Sequence, residues 1–135
     1  MRKERKMNPG QIAESYDLLA EKWNSNTFPR NYGIDEHKQA VRFLNKKNAP
    51  VYALDLGCGS SGRIIDLLLS YGFMVEGLDI SPRMIELAKQ RHPDLTFYHD
   101  DICEWEFPRK YRFISAWDSI WHLPLAVQEP VLKKI

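Results

Sequence analysis

The residues with the clearest chemical potential are Asp55-Leu56-Gly57-Cys58-Gly59-Ser60-Ser61-Gly62, three glycines at nucleotide-loop spacing with a carboxylate two residues ahead of the first. Gly59 would let a ligand approach the main chain, and Gly62 would let a helix pack close to a strand. Alone, such a turn needs no ligand. The acids around it say more. Asp55, Asp79, Asp100, Asp101 and Asp118 all fall at or just after the ends of apolar runs. A pyrophosphate set among several carboxylates is costly without cations, and Arg63 is the one obvious cation nearby. An acidic rim suits a ligand of net positive charge, and the amides at a helix start can hold a carboxylate.

Two further segments follow in order, Gly77-Leu78-Asp79-Ile80-Ser81 and His99-Asp100-Asp101-Ile102. With the glycine loop they resemble the class I S-adenosylmethionine-dependent methyltransferases. The resemblance runs from about Ile12 to the last residue and stops short of the family's full domain. It implies a Rossmann-like, doubly wound α/β fold with a mainly parallel sheet of strand order 3-2-1-4. It also implies two N-terminal helices, with the family's C-terminal strands absent. S-adenosyl-L-methionine is the implied cofactor. In that template Asp55 organises the loop and the ammonium end, while the Gly57 and Gly59 backbone touches the methionine moiety, with Cys58 and Ser60 also among the cofactor-binding residues. Asp79 accepts from the ribose hydroxyls, Ile80 and Met84 press on the adenine, and Asp101 takes the adenine amino group beside Ile102. Trp117 follows the fourth strand, where the family contacts the ammonium or the acceptor.

The acceptor side is implied more loosely. Tyr16 and Trp23 lie on a segment similar to the family's N-terminal lid helix, and Asp118 and Trp121 stand near the acceptor position. His122 is either a general base or a packed wall of the pocket. No Asn-Pro-Pro-Tyr-like motif follows the fourth strand, which disfavours amino-methylation of nucleic-acid bases. His37 and His99 have no partner at metal-ligand spacing, and no metal is expected.

These groups need a scaffold of alternating strands and helices. Asn8-Pro9 opens a helix carrying Ile12, Tyr16, Leu19 and Trp23 on one stripe. Residues 24–33 read as a loop. Asp35 should cap a second helix through Lys46, burying Ala40, Val41, Phe43 and Leu44. Strands are expected at Val51–Leu54, Met74–Asp79, Leu95–His99 and Tyr111–Trp117. Helices are expected after the glycine loop to Tyr71, from Ser81-Pro82 to Arg91, and from Leu123 onward, with Pro130 tolerable only near the first turn. Alternation of this kind argues for a parallel sheet covered on both faces.

The 135 residues suit one domain. Its expected division is 1–48, N-terminal helices and cap loop, and 49–135, the cofactor-binding core. A net charge of +1 gives no broad footprint for nucleic acid. No apolar run approaches a membrane span, and two cysteines are too few for a disulfide framework. These features fit a cytoplasmic protein, and with the resemblance they imply a small-molecule methyl acceptor. The fourth strand, left at an edge, would be open to self-association. A non-catalytic cofactor-binding module and an NAD-dependent oxidoreductase are the alternatives.

Overall fold

The computed structural model describes residues 8–24, 31–44, 51–117 and 119–135, the side chains of 23 and 24 excepted. The Trp23 side chain and Asp118 therefore lie outside the described residues. In chain order the elements are α1 (Pro9–Asn24), α2 (Ile34–Arg42), β1 (Tyr52–Leu56), α3 (Arg63–Ser70), β2 (Met74–Asp79), α4 (Pro82–Arg91), β3 (Thr96–His99), β4 (Phe113–Ser115) and α5 (Leu125–Lys134), with a short 3-10 turn at Ile120–His122 before α5. The four strands form one parallel sheet in the order β3-β2-β1-β4. This is the order the sequence reading expected.

Side-chain alternation decides what each face carries. Ala53 and Asp55 of β1 stand beside Val75 and Gly77 of β2, and Asp55 also pairs in register with Ser115 of β4. This face meets α2, α3 and α4 in a core of Val41, Ala53, Ile64, Ile65, Leu68, Phe73, Val75, Ile85, Ala88 and Phe97. Leu54, Leu56 and Leu78 point the other way. They pack with Trp105, flanked by Tyr98, Phe107 and Tyr111. Among the described residues, that second face is closed by the segment between β3 and β4 rather than by a helix.

Local chemistry sets the helix ends. Asn8 and Gln11 cap α1 reciprocally, each backbone N–H donating to the other's side-chain oxygen, at 3.0 and 2.9 Å. Ser81 caps α4 by accepting from Met84 N–H, with Pro82 at the first helical position. α1 lies against α4 through Ala20, Met84 and Leu87. At α5 the last turn is pinned by Lys134, whose ammonium donates to the carbonyls of Ile102, Cys103 and Trp105 at 2.9–3.0 Å.

Four expectations need correction. α2 starts at Ile34 behind a left-handed Gly33, not at Asp35. Its buried positions are His37 and Val41, while Ala40 is exposed and Phe43 is 90% exposed. β4 spans only three residues, and Tyr111 stands outside it, its hydroxyl donating to buried Glu76 at 2.6 Å. Pro130 is the sixth residue of α5, not a first-turn residue. The helix forgoes the one bond that proline cannot donate.

Candidate functional site

The carboxyl ends of β1 and β2 open into a cleft roofed by α1 and by the turn before α5. Its walls include Pro9, Ile12 and Tyr16 of α1, residues 56–61, Arg63, Asp79, Ile80, Met84, Asp101, Ile102, Trp117, Ser119 and His122. Most of the residues singled out from sequence therefore meet in one place.

The glycine loop is held from beneath. Gly57 and Cys58 donate their N–H groups to the Leu78 carbonyl at 2.7 and 3.0 Å. Gly57 has φ 68°, and a Cβ there would stand 2.5 Å from Ser119 Cβ, so only glycine fits. Gly59 has φ 60° with nothing within 4 Å of its Cβ position. The loop thus presents bare main chain to the cleft. A Cβ at Gly62 would meet Arg91 and His92, so the close approach made there is to α4, not to a strand.

Asp79 ends β2 and is buried. One of its oxygens accepts from Gly59 N–H and the other from Ser81 N–H, both at 2.9 Å. Burial raises its pKa, and those two amides oppose the rise. Asp79 therefore joins the loop to the start of α4. Asp101 is half-buried, and one oxygen accepts from Cys103 N–H at 2.9 Å. Arg63 donates to the Tyr32 carbonyl at 2.8 Å and to Ser61 Oγ at 3.0 Å. Cys58 is a free, buried thiol held well above its ordinary pKa by burial and by Asp79 and Asp55, so it stays protonated.

Across the cleft the Tyr16 hydroxyl is hydrogen-bonded to His122 Nε2, with the two rings edge to face at 5.4 Å. The partners are 106 residues apart and join the N-terminal helix to the turn before α5. Trp121 departs from expectation. It is 63% exposed, stacks on His122 at 3.9 Å and does not line the cleft.

Asp55 departs as well. It lies behind the loop, absent from the cleft wall, and stands in register beside Ser115 of β4. Burial raises its pKa to about 7, Arg63 pulls it down and Asp79 pushes it up. The sign for stability follows. Below about pH 4 the carboxyl is neutral folded or unfolded, and no penalty exists. As pH rises toward 7 the unfolded chain ionises while the folded one resists, so stability falls. Asp55→Asn should remove this slope and make the ligand-free protein more stable by about 1–3 kcal/mol at about pH 8, with little effect near pH 4. Urea denaturation at both pH values checks this; a parallel pH dependence in the variant would refute it.

Sequence reading missed His37. Its Nδ1 lies 2.6 Å from the Gly33 carbonyl and its Nε2 2.6 Å from Ser115 Oγ. No local pattern marks this, because Ser115 is 78 residues away. Among the described residues no His, Cys, Asp and Glu cluster could hold a metal, and no helix is long and apolar enough to cross a membrane.

This architecture has relatives. Residues 53–135 match a family model described as a methyltransferase domain. The chain is 32% identical over 119 residues to a dTDP-3-amino-3,6-dideoxy-alpha-D-glucopyranose N,N-dimethyltransferase of Streptomyces fradiae, a match covering 84% of this chain and 43% of that protein. It is 35% identical over 72 residues to the 18S rRNA (guanine-N(7))-methyltransferase bud23 of Schizosaccharomyces pombe, covering 53% of this chain and 26% of that one. A crystal structure of the N-methyltransferase NodS from Bradyrhizobium japonicum WM9, in complex with S-adenosyl-l-homocysteine, shares the fold. Its TM-score is 0.69 at 18% identity, over 95% of this chain and 66% of that one. The chain belongs to the methyltransferase-domain family, within the class I S-adenosylmethionine-dependent methyltransferases. It spans less than half the length of these two curated relatives.

Proposed function

We propose that the cleft binds S-adenosylmethionine and that the protein methylates a small-molecule acceptor. The observation that carries this reading is the pairing of two walls in one cleft: a glycine loop anchored by Asp79 on one side, and a hydrogen-bonded Tyr16–His122 pair on the other. The residues fit the cofactor. Gly59 leaves its main chain uncovered, and the acids favour a ligand of net positive charge over a pyrophosphate. When bound, S-adenosylmethionine supplies a methyl group already activated by its sulfonium.

The chain's own residues then position and desolvate. Asp79 accepts from the ribose hydroxyls with the lone pairs its two amide contacts leave over. Ile80, Met84 and Ile102 flank the adenine, and Asp101 accepts from its amino group. Residues 57–60 face the methionine end. Tyr16 and His122 orient the acceptor and take up its proton. Holding acceptor and methyl in line contributes about 7–11 kcal/mol to lowering such a barrier.

The relatives named include a sugar-nucleotide and an rRNA methyltransferase. We favour the small molecule because the aminosugar match extends over more of the chain than the rRNA match. The net charge of +1 also provides little attraction for a phosphate backbone.

Calorimetry with S-adenosylmethionine, S-adenosylhomocysteine and NAD tests the cofactor. Binding of the first two without NAD is expected; NAD alone would restore the oxidoreductase reading. Asp101→Ala should weaken the adenosyl ligand about tenfold and spare its inosyl analogue. Equal loss for both would make Asp101 structural. Methyl transfer to a panel of amino- and hydroxy-bearing small molecules, against an rRNA fragment, tests the acceptor, and methylation of the RNA alone would overturn the small-molecule assignment. Cofactor binding with no transfer to any acceptor would favour the non-catalytic module.

A further inference from the structure

α1 roofs the cleft, and the side chain next to Tyr16 on it reaches across to α4: Asp17 accepts from the Ser81 hydroxyl. We infer that Asp17 is a positioning residue for the cofactor: through Ser81 it fastens α1 over the cleft and so governs how fast a bound cofactor leaves. This rests on the S-adenosylmethionine reading of the cleft.

The hydrogen-bond directions carry the inference. Ser81 is fully buried, and each of its polar atoms is committed. Its N–H donates to Asp79 at 2.9 Å, and its carbonyl accepts from Ile85 N–H at 3.1 Å. Its Oγ accepts from Met84 N–H at 3.1 Å. That last bond is the ordinary duty of a serine N-cap, and it leaves the hydroxyl hydrogen to spare. The hydrogen goes to Asp17 Oδ1, which also accepts from Arg83 N–H at 3.3 Å. Pro82 has no N–H, so the Arg83 amide is the first that α4 can offer. A carboxylate is favourable at this end of a helix. Asp17 thus supplements the cap of α4 from another element.

The same helix is fastened again one turn on. The Ala20 carbonyl accepts from Ser60 Oγ of the glycine loop at 3.3 Å, and both residues are buried. Asp79 closes the circuit, because its two oxygens take Gly59 N–H, beside Ser60, and Ser81 N–H. Hydrogen bonds therefore run from α1 to the loop, on to the end of β2, then to the start of α4, and back to α1 at Asp17. The proposed ribose anchor is one member of this ring. Glu21 adds an ion pair to Arg83, but both groups are exposed enough for it to weigh little.

Little else holds the roof down. Among the described side chains of α1 only Ile12 and Ala20 are buried, and Leu18 is 87% exposed. In the native protein, lifting α1 breaks the Asp17–Ser81 bond. In Asp17→Ala the lowered helix already leaves the Ser81 hydrogen buried without an acceptor, and lifting it admits water. Removing the carboxylate therefore favours the raised helix, from which a cofactor escapes.

Surface plasmon resonance, with S-adenosylhomocysteine passed over the immobilised protein, reads the two rates apart. Asp17→Ala should raise the dissociation rate about tenfold without slowing association. Ser81→Gly should do the same, since glycine is still an acceptable N-cap. The double variant should release no faster than the faster single one, because both remove the same bond. Asp17→Asn, which still offers an oxygen to the Ser81 hydroxyl, should recover most of the native residence time. A fold weakened in general would lower the amount bound and leave the release rate of the folded fraction alone. A native dissociation rate in Asp17→Ala, multiplied losses in the double variant, or no recovery with asparagine overturns the inference while leaving the cleft's assignment intact. Should Asp17→Ala not fold, Ser81→Gly carries the test, and a native dissociation rate there overturns the inference. Absence of binding by the native protein overturns both.

Discussion

Asp79→Ala should weaken S-adenosylhomocysteine binding by about a hundredfold or more, the largest single loss in the cofactor half of the cleft. Two losses combine. The ribose hydroxyls lose a charged acceptor, worth about 1.5–3 kcal/mol for each such bond. The Gly59 and Ser81 amides lose the oxygens they donate to, so the loop and the start of α4 are no longer tied together. Asp79→Asn is not conservative, because its NH2 group would face one of those two N–H donors. Calorimetry beside thermal melting separates the effects. Asparagine should cost nearly as much affinity as alanine. If either variant binds as the native protein does, Asp79 is not the anchor of this site.

The second large effect belongs to the opposite wall. His122→Asn should lower the rate of methyl transfer by about 10²–10³-fold, within the range for loss of a positioned acid–base group. Tyr16→Phe should lower it too. The double variant should fall short of the product of the single losses, because the pair acts as a unit. Cofactor affinity should change little in any of them. The comparison uses whichever acceptor the small-molecule panel yields, with kcat and KM measured separately. A rise in KM alone would reduce the pair to a wall of the acceptor pocket. A matching loss of cofactor affinity would place it in the cofactor site instead.

The parts of this site legible in the sequence are those fixed by nearby residues. Strand, glycines and helix lie within 19 consecutive positions, 52–70, and each imposes its conformation locally. Ser81-Pro82 announces α4 for the same reason. Asp79 was legible because the end of a parallel strand puts its side chain at the mouth of the sheet.

Asp55 lies behind the loop for a reason that its position in the sequence alone does not show. Leu54 and Leu56 alternate with Ala53 and Asp55, and that alternation turns the carboxyl toward α2 and Ser115 rather than into the cleft. Phe43 was misassigned because apolar spacing cannot say where a helix ends. With α2 closing at Arg42, Phe43 becomes a cap residue pointing outward. Trp121 and His122 are adjacent and their rings stack, yet only His122 lines the cleft, while Trp121 is exposed. His37 was beyond local reading altogether. Its contact with Ser115 exists only once α2 is laid beside β4.

The contact made by Lys134 ties α5 and the segment beside the proposed adenine subsite into one opening unit. All three ammonium hydrogens are spent on carbonyls of the segment that follows Asp101. The last turn of α5 cannot fray without unlatching that segment, and the segment cannot breathe without releasing the helix. In hydrogen exchange the amides of 103–105 and those near the end of α5 should therefore exchange as one group, distinct from the slower sheet. Acetylation of Lys134 would then register at Ile102, the hydrophobic wall of the proposed adenine site, although the modified atom touches no ligand.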